Sequence, residues 1–269
     1  GEYDFAYGIP ADNYEQLEND PNLQSHFSVS GSQFLVYNTA KGPVSDFKLR
    51  QAINTALDSE EILMAAFRDP DLFTLSSGYL EKEIENWASD AGNEYYNIND
   101  PEKAKQMLEE IGYDGQEIRL MTTRDYDHHY NTAVVIQEQL SNIGLNVKLE
   151  IFDWPTINER QYDQDAWDIY VMGFSSVSTP TQFLGLSPTW AAGVADERVA
   201  EDLRAIELAP TVEEAKEIWD GLQLYVWEEL LPVSTLGSYN SLYGSSTNVE
   251  GLTTFSGPTF WNTTANNNE

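Results

Sequence analysis

The sequence contains no cysteine, only three histidines, and 14 basic residues against 45 acidic ones in 269. Each shortage excludes something. Without cysteine there are no disulfides, no thiolate nucleophile, no cysteine-type zinc site and no iron–sulfur cluster. With a formal net charge of -31, the chain repels polyphosphate, which excludes nucleic acid as a partner. The same charge opposes docking on anionic lipid through a basic face. No apolar run approaches the roughly 20 residues of a membrane span; Ile169 to Phe174 is among the longest and is strand-sized. The opening Gly1-Glu2-Tyr3-Asp4 is neither basic nor apolar, so it is not a signal peptide.

What is present argues for a folded chain. Hydrophobic residues make up 41% and aromatic residues 12%, too much for disorder even at this charge. The length admits one large domain or two ordinary ones. Acid at this density repels itself, and salt screens that repulsion, with a Debye length of about 10 Å at 0.1 M and about 3 Å at 1 M. The composition therefore points to a protein adapted to brine or alkaline medium, outside the cytoplasm, with an ordinary acidic secreted protein as the alternative.

Periodicity alternates between strand and helix along the chain. Gln33 to Tyr37 is a predicted strand. Leu49, Ala52, Ile53, Ala56 and Leu57 mark an amphipathic helix. Asp58 or Ser59 starts a second helix through Phe67, and Asp100-Pro101-Glu102 starts a third that Gly112 ends. Glu117 to Thr123, Leu145 to Ile151 and Asp168 to Phe174 are predicted strands, separated by helices over 132–143 and from Pro155 to about Tyr162. Helices over 196–208 and 212–229 and strands near 233–239 and 249–254 complete the chain, with an Asn-rich end from Thr263 expected to fray. Strand-helix-strand-helix-strand over 117–174 predicts an open α/β sheet.

The usual catalytic signatures are missing: no G-x-G-x-x-G, P-loop, H-E-x-x-H or G-x-S-x-G. No metal or cofactor is expected. His128-His129 falls in a stretch expected to be a polar loop, and adjacent side chains diverge, so the pair is not a metal site. Of seven tryptophans, Trp219 and Trp227 belong to a helix and are expected in the core. Trp154 and Trp190 follow strands or loops, where an aromatic ring can line a cleft.

Several strings together carry a resemblance. Tyr37-Asn38-Thr39, then Gly42-Pro43, then the helix Leu49-Arg50-Gln51-Ala52-Ile53-Asn54-Thr55-Ala56-Leu57-Asp58-Ser59-Glu60 resemble the extracellular solute-binding proteins, family 5, of ABC importers for dipeptides, oligopeptides and nickel. Gly1-Glu2-Tyr3-Asp4, Asp100 to Lys105, Gln139 to Val147 and Asp168 to Phe174 followed by Pro180 agree with further family strings in order and spacing. The resemblance implies a fragment lacking about the N-terminal half of a member. It implies an α/β lobe of the class II periplasmic-binding-protein kind, with an open mixed sheet flanked by helices. Residues 30–236 would be the second lobe, with 1–29 and 237–269 returning to the first lobe through the hinge. It also implies a monomer that takes a small peptide or peptide-like ligand outside the membrane and delivers it to an ABC permease. The full-length protein would be a cell-surface lipoprotein or periplasmic, and not an enzyme.

The implied ligand site is the loop after Phe174. Phe174 stands where the family usually has Trp, Phe34 stands at an aromatic site before Asn38, and Ser175, Ser176 and Ser178 offer hydrogen-bonding groups; Phe34 and Phe174 are equally plausible as core. Trp154 and Trp190 join these as candidate ligand contacts, whereas Arg50 is expected to be structural. Peptide binders of the family place an Asp in that loop against the ligand's amino group; here Ser175-Ser176-Val177-Ser178-Thr179-Pro180 carries no carboxylate. Either another acid serves or the ligand lacks a free amine there, leaving blocked peptides and sugars open. The alternative from another class is a fragment of a secreted carbohydrate-active enzyme, which requires two carboxyl groups facing each other about 5–9.5 Å apart. A surface interaction module would instead show a large exposed apolar patch.

Overall fold

Two long strands form the middle of the molecule in the computed structural model, which describes residues 3–255 and 257–266. β1 (Phe5–Ile9), β2 (Leu23–Tyr37), β3 (Phe73–Thr74), β4 (Ile118–Thr123), β5 (Val147–Phe152), β6 (Ile169–Ser175) and β7 (Val233–Ser246) make one sheet, in the order β1-β7-β2-β6-β4-β5 with β3 beside β7. β4 runs parallel to β5 and β6, while β2 is antiparallel to β6 and β7. The sheet is thus open and mixed, as expected. Short strands β8 (Val249–Glu250), β9 (Thr253–Phe255), β10 (Gly257–Thr259) and β11 (Thr264–Ala265) pair outside it, β9 with β10 and β8 with β11.

The helices are α1 (Tyr14–Glu18), α2 (Phe47–Ala56), α3 (Ser59–Phe67), α4 (Pro101–Ile111), α5 (Asp127–Asn142), α6 (Trp154–Arg160), α7 (Glu197–Leu208) and α8 (Val212–Tyr225). Local chemistry sets their starts. Asp58, Asp100, Asp153, Asp196 and Thr211 each accept a bond from a backbone N–H in the first turn of the helix that follows. Gly112 ends α4 at φ 67°. Trp219 and Trp227 are buried as expected. The last turn after α8, Val226–Leu230, is a wider π-type turn closed by Leu231 at φ 41°.

Three expectations need correction. β2 and β7 are far longer than their apolar stretches, because Gln24 to Ser32 gains its structure by backbone pairing with β7 and not by alternating burial. His128 and His129 lie in the first turn of α5, not in a loop; the helix begins at Asp127, and its polar first turn hid the start. Part of the tail expected to fray is strand β11, while Gly1, Glu2 and Asn267 to Glu269 lie outside the described residues.

The family-like strings hold the fold. The Asn38 amide donates to the carbonyls of Gln164 and Trp167 at 2.9 and 3.0 Å and accepts from the N–H groups of Ala40 and Lys41. The Arg50 guanidinium, buried in the core, donates to the carbonyls of Val44, Ser45, Leu230 and Leu231. It pins the start of α2 to the end of the turn after α8 and is structural, as expected. Asp168, buried just before β6, accepts from the backbone N–H and guanidinium of Arg119 at 2.7–3.0 Å. Among the described residues, no helix is long and apolar enough to cross a membrane.

Candidate ligand site at the end of strand β6

Six aromatic rings pack on one side of the sheet where β6 ends. Trp227 stacks on Tyr79 at 5.7 Å and 11°, and Tyr79 on Phe183 at 5.4 Å and 19°. Phe183 meets Phe34 at 5.5 Å, Phe34 meets Phe174 at 4.9 Å, and Phe174 meets Trp190 edge-on at 4.9 Å. Phe34 has no exposed surface, and Phe174 and Trp190 retain 7% and 6%. The rings therefore form a floor of core and fix two loops to the sheet: the 75–99 loop through Tyr79 and the 176–192 loop through Phe183 and Trp190.

Ser176, Val177 and Ser178 rise from this floor and line a cavity of about 370 Å³. Its other walls include Phe27 and Val29 of β2, Glu83 and Ile84 of the 75–99 loop, and Asn240 of β7. Ser175 is exposed at the strand end. The Ser178 N–H donates to Gln182 Oε1 at 3.0 Å, which steadies the loop. Behind the wall, Glu81 Oε1 accepts from Ser32 Oγ at 2.9 Å. Burial pushes the Glu81 carboxyl above its ordinary value, an effect opposed by the hydrogen bond from the Ser32 hydroxyl and by the nearby Ser176 hydroxyl.

A larger cavity of about 570 Å³ shares Asn240 with the first and is lined by Tyr239, Tyr126, His128, Arg68 and Asp125, among others. Tyr239 stacks on Phe67 at 5.0 Å and meets His128 at 5.7 Å. Trp154 stands behind this rim, edge-on to Tyr126 at 5.2 Å and to His129 at 5.6 Å, away from the serine loop. Burial pushes His128 down to about 4 and His129 down to about 3. Both imidazoles are neutral near pH 7, and no cluster of three or more metal-ligating groups occurs among the described residues.

The structure thus brings Phe34, Phe174, Trp190, Ser175, Ser176 and Ser178 to one strand end, where only Ser176 and Ser178 line the cavity, and puts Trp154 behind the rim of the other cavity. Sequence reasoning missed Glu81, Glu83, Ile84 and Asn240. The first three lie in a loop without periodicity, and Asn240 falls one residue beyond the predicted strand.

The edge of β6 matters as well. β2 pairs with it over its whole length, but β4 pairs only at Ile169 and Tyr170. From Val171 to Ser175 the outer edge carries no strand among the described residues, although His129 Nδ1 approaches the Val171 carbonyl at 3.4 Å. A pocket and a strand edge without a partner strand thus lie together where the open sheet ends.

Comparison with known proteins places the chain further. Residues 1–192 match the family model of bacterial extracellular solute-binding proteins, family 5 (middle part). The chain belongs to that family. It is 28% identical, over 97% of its length, to a probable peptide ABC transporter periplasmic-binding protein of Sinorhizobium fredii, of which it covers 52%. Its fold is similar to that of a Pseudoalteromonas dipeptide-binding protein solved with Met-Leu, at TM-score 0.80 and 20% identity, covering 98% of this chain and 54% of that one. It is also similar to the oligopeptide-binding protein AppA of Bacillus subtilis solved with a nonapeptide, at TM-score 0.79 and 23% identity, covering 97% and 55%. The chain spans about half the length of these relatives.

Proposed function

We propose that this chain is the ligand-recognition lobe of an ABC importer's extracellular solute-binding protein, and that its ligand is a peptide or peptide-like solute. The observation that carries the reading is the free outer edge of β6 beside the serine-lined cavity. An extended ligand pairs its backbone with such an edge, and its side chains enter the adjoining pockets. Ser176 and Ser178 supply hydroxyl contacts, Ser175 lies on the edge itself, and the Phe34–Phe174–Trp190 floor holds them in place. Recognition of this kind needs no cofactor and no reaction, so the lobe binds and does not catalyse. The relatives are binding proteins, which supports this reading over the carbohydrate-active alternative.

Residues 30–236 form the second lobe, and 1–29 and 237–269 return to the first. A bulge between Val29 and Gly31 supports that division: the register of β2 against β7 shifts there, at the proposed boundary. A Cβ on Gly31 would collide with the carbonyl oxygen of Phe174, so the crossing requires glycine. The two-lobed protein works as a monomer outside the membrane, periplasmic or lipid-anchored, and hands its ligand to a permease by closing on it. The test is native mass spectrometry of the two-lobed protein purified from its host. Masses of short peptides on the closed protein are expected; a bound sugar or metal complex in their place would overturn the peptide reading.

A further inference from the structure

Gln33 sits in β2 with no exposed surface, and neither its amide nitrogen nor its amide oxygen has a hydrogen-bond partner among the described residues. A buried amide without partners is costly. Phe34 beside it belongs to the aromatic floor, so Gln33 points to the opposite face of the sheet, toward α5. The register sets it directly across from two glycines, Gly173 of β6 and Gly237 of β7. On the Gly237 side the space is closed: a Cβ there would lie 2.5 Å from the Thr74 carbonyl oxygen and 2.7 Å from Leu63 Cδ1. The Gly173 side is polar. A Cβ there would have as its nearest neighbours Tyr239 Oη at 3.1 Å, His129 Nε2 at 3.5 Å and Gln33 Oε1 at 3.6 Å. Gly173 has no positive φ, so the backbone does not call for glycine. Glycine inside a strand then marks a close approach, here a notch beside the free outer edge of β6. Neither Gln33, Gly173 nor His129 lines the two cavities described above.

His129 completes the count of donors and acceptors. Its Nδ1 faces the Val171 carbonyl, which can only accept, so the neutral ring carries its proton on Nδ1 and leaves Nε2 a bare acceptor. The notch thus offers acceptors at His129 Nε2 and Gln33 Oε1, a donor in the Gln33 amide group, and a Tyr239 hydroxyl that serves as either. We propose that this notch is a binding site for one ordered water molecule, joining Gln33, Tyr239 and His129 and so tying β2, β7 and α5 together beside β6. Water fits because it is one heavy atom, the size of the missing methyl group, and donates twice and accepts twice. Buried waters make about three such bonds to groups that otherwise lack partners. The site also gives Gly173 its reason: a methyl group there would take the water's place and leave the Gln33 amide unpaired. The water is a fixed part of the protein, so the site does not depend on what the lobe binds.

A high-resolution crystal structure of the two-lobed protein tests the site directly, with nitrogen NMR of its histidine rings as a second readout. The proposal expects one well-ordered water within hydrogen-bonding distance of the Gln33 amide, Tyr239 Oη and His129 Nε2, and a His129 ring protonated on Nδ1. Gly173→Ala should lose that water and melt at least about 2 °C lower than wild type. A direct Gln33–Tyr239 hydrogen bond in wild type with no density between them would overturn the site. So would a His129 ring protonated on Nε2, or a Gly173→Ala variant that melts with wild type. The wild-type readouts decide the matter even where the variant fails to fold, and none of them bears on the nature of the ligand.

Discussion

His129 sits in the first turn of α5 with 4% of its surface exposed, against Trp154 and the Val171 carbonyl. Burial and the neighbouring His128 push it down to about 3, from an ordinary 6.5. The fold therefore holds it neutral, whereas the unfolded chain protonates it as pH falls below 6.5. A depressed pKa of this sign contributes stability that is complete above 6.5 and is lost as pH falls toward 3. His128, pushed down to about 4, adds to the loss over the upper part of that window. Replacing His129 by Gln should flatten the fall in stability between pH 6.5 and 4.5, by about 1.4 kcal/mol for each pH unit. Urea unfolding of both proteins across that range checks it; parallel curves would show that His129 is not held neutral by the fold. By contrast, the Arg119–Asp168 pair and the Arg50 carbonyl cage are charges that the fold holds by direct bonds.

At the scale of elements, what could be read from the sequence followed locality. The starts of α3, α4 and α7 were legible because Asp58, Asp100 and Asp196 cap the turn they precede. β4, β5 and β6 were legible because their burial alternates or runs continuously, and the serine loop after β6 because a family resemblance marks that strand end. β2 and β7 were legible only in their apolar halves: Ser25, Ser28 and Ser241 become strand through pairing of residues more than 200 positions apart. The 75–99 loop was not legible, since distant groups hold it in place. Trp227 Nε1 donates to the Ser77 carbonyl, Trp219 Nε1 to that of Trp87, and Gln223 Nε2 to those of Ser89 and Ala91. That loop supplies Glu81 and Glu83, so half of the candidate site was invisible to sequence patterns. The strongest string, from Asn38 through Arg50, was legible for a different reason: it is the joinery of the fold, and none of its side chains lines the cavity beside the serine loop.

For the whole molecule, the charge of -31 remains the dominant quantity. Fourteen basic residues cannot pair 45 acids, and most of the ion pairs found are exposed, such as Lys41–Asp165 and Lys105–Glu102. Surface pairs of this kind add little stability. Screening by salt is the remaining relief, so the melting temperature should rise steadily with NaCl toward molar concentration. A flat melting temperature from low to molar salt would contradict adaptation to brine or alkali. The central claim is that the cavity and free edge of β6 are one side of a cleft, completed by a first lobe. Calorimetry of a short-peptide panel against residues 1–269 and against the two-lobed protein tests it most directly. The account predicts micromolar or tighter binding by the two-lobed protein and poor binding by residues 1–269; equally tight binding by both, or none by the two-lobed protein, would contradict it.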